Sequence, residues 1–218
     1  MIKAVIFDMD GLLIDSEPFW HNAHKSVLRQ FGHMVSKRQL RDVAGKKTID
    51  ITRHWCALYG ITEQTPEKMA SQIFDMVILD VQREGTLLPG AEALIKVLNN
   101  ENVIMGIASS SPMEIIDAVV EKFKIAPYMD AIHSATDEDR GKPFPDVFIA
   151  AARSLNVEPK ECLVFEDSLN GVKAAKAAGM KCIAVPHGHY DNGAFGAANP
   201  DLLVDSLNKV SWANVRDY

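Results

Sequence analysis

The chain has 218 residues, of which 47% are hydrophobic and 24% charged, and its formal net charge is −6. This length suits one large domain with a smaller insert, and the composition is that of a folded chain with a sizeable core, not of a disordered one. The acidic balance argues against nucleic acid as a partner, yet it leaves room for a small phosphorylated ligand held by local positive charge.

In chain order, the first readable element is Ile2-Lys3-Ala4-Val5-Ile6-Phe7, a short apolar run that stops at Asp8. Near-continuous apolar runs of this kind fit buried parallel strands. Residues from about 16 to 85 then read as helices only. One starts at Ser16-Glu17-Pro18 and runs to Gly32, one spans Thr48 to Tyr59 and stops at Gly60, and one starts at Thr65-Pro66-Glu67 and ends near Gly85. Beyond the insert, helical patterns opening at Pro89-Gly90, at Ser111-Pro112 and at Ser168 alternate with apolar runs. Those runs are Val103–Ala108, Ala131-Ile132, Cys162–Phe165, Cys182–Val185 and Leu202–Val204. Ser111 is expected to cap its helix, with Pro112 at the first helical position and Glu114 closing a capping box. Strands alternating with helices predict an α/β fold, a doubly wound, Rossmann-like parallel sheet. Its core is assigned to residues 1–15 and 86–218, and residues 16–85 form an inserted helical cap domain beside the carboxyl ends of the strands.

Three cysteines, Cys56, Cys162 and Cys182, show no CxxC spacing, so reduced thiols in a cytoplasmic protein are expected. No signal peptide is read, because the apolar stretch after Lys3 is short and is broken by Asp8 and Asp10. No apolar run approaches the roughly 20 residues of a membrane-spanning helix, so no membrane partner is expected.

Four places could carry chemistry. Asp8-Met9-Asp10-Gly11 follows the first strand, and two carboxylates so close repel unless a cation sits between them. An ordinary acidic turn is the plain alternative. Ser109 and Ser110 end the next apolar run, where hydroxyls and a helix N-terminus make a phosphate cradle; simple capping is the alternative there. Lys142, between Gly141 and Pro143, is a point charge in a restricted loop that could neutralise phosphate and carboxylates, or else a solvated surface lysine. Glu166 and Asp167 end a further strand and could complete an all-oxygen site for Mg²⁺, although Asp167 and Ser168 could equally cap a helix.

The order of these motifs is more specific than any one of them. Asp8-Met9-Asp10-Gly11-Leu12-Leu13-Ile14-Asp15-Ser16-Glu17, Ser109, Gly141-Lys142-Pro143 and Glu166-Asp167-Ser168-Leu169-Asn170-Gly171 resemble the haloacid dehalogenase (HAD) superfamily over essentially the whole chain. Within it the chain is similar to the sugar-phosphatase and β-phosphoglucomutase group. The stretch Asp15-Ser16-Glu17-Pro18-Phe19-Trp20 looks like the hexitol and 2-deoxyglucose-6-phosphate phosphatases. The resemblance implies a phosphatase in which Asp8 is the nucleophile, forming an aspartyl-phosphate, and Asp10 is the acid/base. It implies Mg²⁺, for which Mn²⁺ can substitute, held by the Asp8 side chain, the Asp10 backbone carbonyl and Asp167, with Glu166 close behind. Ser109, Ser110 and Lys142 would hold the phosphoryl oxygens.

The cap is expected to set specificity for a small phosphorylated metabolite, a sugar or sugar-alcohol phosphate. In Gly45-Lys46-Lys47-Thr48, Lys46 or Lys47 could contact the substrate or be a solvated turn. Trp20 could stack on a sugar face or pack between cap helices. His21 and His24, one turn apart, could suggest a metal pair, but no third ligand lies near. β-Phosphoglucomutase chemistry is the alternative; Trp20 replaces the histidine usual in those enzymes, and Thr48 stands near their arginine position. A non-catalytic phospho-ligand binder on the same fold is the third reading. A monomer is expected.

Overall fold

The computed structural model describes residues 2–43, 46–186, 195–216 and 218. Six parallel strands form one sheet in the order β3-β2-β1-β4-β5-β6. They are β1 (Ala4–Phe7), β2 (Ile104–Ser109), β3 (Ala131–Ser134), β4 (Cys162–Glu166), β5 (Lys181–Ala184) and β6 (Leu202–Leu203). This is the doubly wound α/β architecture expected from the alternation of apolar runs and helices.

The central strands are largely apolar because the sheet is covered on both faces. Val5, Phe7, Ile107, Leu163, Phe165 and Ile183 belong to one core cluster. The alternate residues Ala4, Ile6, Ala108, Cys162, Val164, Cys182 and Ala184 belong to a second. Side chains alternate across a strand, so odd and even positions feed opposite layers. Both Cys162 and Cys182 are fully buried, as core thiols. Phe7 and Phe165, opposite each other in β1 and β4, stack at 5.4 Å between ring centroids beneath the carboxyl ends of their strands.

Four helices fill the stretch after β1: α1 (Glu17–Gln30), α2 (Lys37–Val43), α3 (Thr48–Tyr59) and α4 (Pro66–Glu84). Their apolar faces, including Val27, Leu28, Trp55, Met69 and Val77, belong to the first core cluster together with Met9, Leu12, Leu13 and Ile14. Thr65 caps α4 by accepting from the Lys68 N–H, and Gly60 ends α3 in the left-handed conformation. Helix α4 packs on α1, on α3 and on α6 (Met113–Phe123). At its C-terminal end the Lys122 ammonium of α6 donates to the carbonyls of Val81 (2.7 Å) and Gln82 (3.0 Å). A cation on the open carbonyls of a helix end is favourable. It ties the insert to the sheet domain.

Helices α5 (Ala91–Asn100), α7 (Asp146–Ser154) and α8 (Leu169–Ala177) complete the layers, and α9 (Trp212–Arg216) lies near the C-terminus. Three details differ from the sequence reading. Helix α2 is too short, and α7 too closely preceded by Pro143 and Pro145, to stand out as periodic runs. The start of α6 also differs. Pro112 occupies the cap position in extended geometry (ψ 158°), and no side chain caps the helix. Ser111 does not cap because its hydroxyl is engaged elsewhere.

Candidate active site

Strand order decides where the chemistry can lie. In a doubly wound sheet the crevice opens at the carboxyl ends of the strands where the winding reverses. Here that point is β1, flanked by β2 and β4. Asp8 follows β1, Ser109 ends β2 and Glu166 ends β4, so three residues more than fifty positions apart in sequence converge at one edge. Asp8, Asp10, Ser109, Ser110, Asp167 and Trp20 are among the residues around an open cavity between this edge and the helical insert.

Lys142 is the hub beneath that cavity. Its ammonium donates to Asp8 Oδ1 (2.5 Å), Glu166 Oε1 (2.6 Å) and the Ala108 carbonyl (3.1 Å), which uses all three of its donors. It also lies 4.8 Å from the centroid of the Phe148 ring. Burial disfavours its charge, but the carboxylates of Asp8 and Glu166 outweigh this and hold its pKa above the usual lysine range. Glu166 is fully buried, and its other oxygen accepts from the Ser168 N–H (2.9 Å) and hydroxyl (3.0 Å). The Ser168 hydroxyl in turn caps α8 through the Gly171 N–H.

Gly171 is required by this packing. A Cβ there would lie 1.7 Å from Glu166 Oε1. Gly→Ala early in a helix ordinarily stabilises by about 0.5–1 kcal/mol. At 171 the sign is expected to reverse, with Gly171→Ala destabilising by about 1–3 kcal/mol through overpacking and displacing the carboxylate that holds Lys142. Thermal melting of that variant checks this; a melting temperature at or above that of the unsubstituted protein would sink it.

Asp8, Glu166 and Asp167 can each present a carboxylate oxygen within 4.8 Å of the others. Burial, opposed by Lys142 and reinforced by Glu166 and Asp10, pushes Asp8 up to about 8. Burial, with Glu166 and Asp8 adding to it, also raises Asp167 well above the usual carboxylate range. Three clustered acids thus share one ammonium, a deficit that a divalent cation would correct. The donor set is all oxygen, and the residues therefore fit Mg²⁺. Gly11 (φ +79°) lets the backbone pass close by, since a Cβ there would lie 2.4 Å from Asp167 Oδ2.

Asp10 sits in a different environment. Its Oδ1 accepts from the Ser16 hydroxyl (2.6 Å) and the Trp20 indole N–H (2.8 Å). Its Oδ2 accepts from the hydroxyls of Ser111 (2.6 Å) and Ser109 (3.2 Å). A carboxylate offers about four acceptor positions, and here all are taken. The insert side supplies two of these donors and the sheet the other two. Ser111 is held for this task by its N–H on Ser109 Oγ (3.0 Å) and by the Ser134 hydroxyl on its carbonyl (2.6 Å).

Ser16, Trp20 and Ser111 are thus partners of Asp10 that the sequence reading did not assign. Trp20 also packs edge-on against Phe74, at 6.4 Å between centroids. Ser109 contacts Asp10, and Ser110 faces the cavity. Lys47, one of the two lysines that could contact the substrate, is placed otherwise. Its ammonium donates to the backbone carbonyl of Glu138, and its stem lies so close to Gly141 that a Cβ there would be 2.7 Å from Lys47 Cγ. A long chain leaving the start of α3 reaches the sheet domain's loop before it reaches the cavity, and Lys46 is the lysine that lines the cavity instead. Gly45, the first residue of that motif, lies outside the described residues. His21 and His24 both line the cavity, but no group of three possible metal ligands among the described residues includes either of them. His21 Nε2 lies 3.4 Å from Glu17, and the acidic trio is the one potential metal cluster among the described residues.

The model of the haloacid dehalogenase-like hydrolases matches residues 5–185, which takes in every one of these motifs. The chain belongs to that family. Hexitol phosphatase B of Escherichia coli (strain K12) is 35% identical over 186 residues, 85% of this chain and 84% of that protein. Validoxylamine A 7'-phosphate phosphatase of Streptomyces hygroscopicus subsp. limoneus is 28% identical over 99% of both chains. Among solved structures, β-phosphoglucomutase from Clostridium difficile superposes with a TM-score of 0.86 at 25% identity, covering 100% of this chain and 96% of its own. Among the described residues of this HAD-family chain, no helix is long and apolar enough to cross a membrane.

Proposed function

We propose that this HAD-family protein is a Mg²⁺-dependent phosphatase that hydrolyses phosphomonoesters of sugars or sugar alcohols through an aspartyl-phosphate. One observation carries the reading: a buried lysine pins one oxygen of Asp8 while a second carboxylate, Asp10, meets the same cavity from a separate socket. The similarity to phosphatases, hexitol phosphatase B among them, points to the same substrate class.

In this reading Asp8 Oδ1 stays on Lys142, and Oδ2 attacks phosphorus. The P–O bond to the sugar breaks, and the leaving oxygen takes a proton from Asp10. Asp10 then removes a proton from the water that cleaves the acyl phosphate, the two-step logic of nucleophilic catalysis. To do so Asp10 must exchange at least one of its four present donors for a substrate or water oxygen. Ser109 and Ser110 hold the phosphoryl oxygens, and Lys142 joins them by releasing the Ala108 carbonyl, the longest of its three contacts. Asp8, Asp167 and the Asp10 backbone carbonyl would hold Mg²⁺, with Glu166 behind them. When bound, the ion supplies charge that offsets the repulsion between an anionic nucleophile and an anionic phosphate. The insert, residues 16–85, acts as the cap that closes the site.

The test is phosphate release from a panel of phosphorylated metabolites with Mg²⁺, and from p-nitrophenyl phosphate. Release is expected to vanish in EDTA and to return with added Mg²⁺ or Mn²⁺. Undiminished release in EDTA would remove the metal from the reading, and no release from any ester would favour a non-catalytic binder. The mutase alternative rests on fold similarity. Conversion of β-glucose 1-phosphate to glucose 6-phosphate with its bisphosphate activator, without net phosphate loss, would replace the phosphatase.

A further inference from the structure

The insert side of the cavity contains a buried polar group that the mechanism does not use. His24, on α1, lines the cavity and is only 4% exposed, and its Nδ1, itself closed to solvent, has no hydrogen-bond partner among the described residues. Buried polar atoms are almost always paired, so an unpaired one in a native structure calls for a reason. Such a violation of packing rules is expected where a ligand completes the pairing.

The surroundings indicate what kind of ligand. Leu40, Val43 and Ile51 give this wall an apolar surface, and Glu17 and Lys46 contribute one charge of each sign. The neighbouring lysine, Lys47, is held by the Glu138 carbonyl. Among the described residues the wall therefore offers no cluster of cations to match a second phosphate or a carboxylate-rich leaving group. It matches a neutral group with hydroxyls over a carbon skeleton.

We propose that His24 is a specificity-determining residue that hydrogen-bonds a hydroxyl of an uncharged, polyhydroxylated leaving group. The inference rests on the phosphatase reading above. Burial, with a smaller contribution from His21, pushes His24 down to about 4, so near neutral pH the ring is uncharged and carries one N–H and one lone pair. Among the described residues no group grips Nδ1, so a turn of the ring about Cβ–Cγ brings this buried atom to the cavity, where a change of tautomer makes it donor or acceptor. A site that pairs a substrate hydroxyl discriminates strongly against analogues lacking it, because its own polar group is then left buried and unpaired.

The experiment compares kcat/KM for sorbitol 6-phosphate, glucose 6-phosphate and glycerol 3-phosphate with kcat/KM for p-nitrophenyl phosphate, in the unsubstituted protein, His24→Phe, His24→Leu and His24→Asn. Both apolar variants are expected to lower the ratio of the best hydroxylated ester to p-nitrophenyl phosphate by about tenfold or more, with melting temperatures unchanged or raised. His24→Asn, which keeps a polar atom, is expected to recover part of that ratio. An unchanged ratio, an equal fall on all esters, or failure of both apolar variants to fold would overturn the assignment. Release of phosphate from p-nitrophenyl phosphate by the unsubstituted protein shows that the phosphatase reading stands when this one fails. No release from any ester brings down both.

Discussion

Asp8→Asn is expected to lower phosphate release by about 10⁴-fold or more, in line with the loss of a nucleophile in other covalent catalysts. The variant should stay folded. Asp8 is buried with Glu166 and Asp10 nearby, so removing its charge relieves repulsion as well as breaking the Lys142 contact. Lys142 keeps Glu166 and the Ala108 carbonyl as partners. The two measurements are steady-state phosphate release and thermal melting. Loss of activity with a melting temperature within a few degrees of the unsubstituted protein places the effect at the reacting atom. Substantial Mg²⁺-dependent turnover would falsify the role of Asp8 as nucleophile.

Lys142→Met is expected to damage both stability and activity, because one ammonium serves two carboxylates. Breaking a buried ion pair by removing one partner costs about 3–5 kcal/mol, since it leaves charge without compensation. Here three acids would lose the ammonium that pairs with two of them. Protonation would relieve part of the cost, as the raised pKa values of Asp8 and Asp167 indicate. Activity should fall by roughly 10²- to 10³-fold, the scale for loss of a preorganised charge at a transferring group. Melting curves with and without Mg²⁺ provide a second check. The cation should raise the melting temperature of Lys142→Met more than that of the unsubstituted protein, and equal shifts would show that Lys142 and the ion do not share the same carboxylates.

How much of this could be read from sequence depended on what each residue's position required. Asp8, Ser109 and Glu166 were legible because each ends an apolar run, and parallel strands place their carboxyl ends together. Lys142 was legible only as a constrained loop charge; its three acceptors come from β2, β4 and the residue after β1, which no local pattern reveals. Ser111 looked like a helix cap because it precedes Pro112, and the hydroxyl's competing partner lies 101 residues away. The Lys47 contact with Glu138 spans 91 residues and depends on how the insert sits on the sheet domain. Gly171 carried a faint signal, a glycine inside a helix where alanines follow, but only the position of Glu166 explains it.

The indole of Trp20 donates to Asp10, the carboxylate that would change partners in the proposed turnover. That places an intrinsic fluorophore in direct contact with the proposed acid/base. The chain has three tryptophans, Trp20, Trp55 and Trp212, so changing the latter two to Phe would leave Trp20 as a lone emitter. Its emission would then follow each departure and return of Asp10 in real time, and stopped-flow traces would separate that step from release of phosphate without any added label.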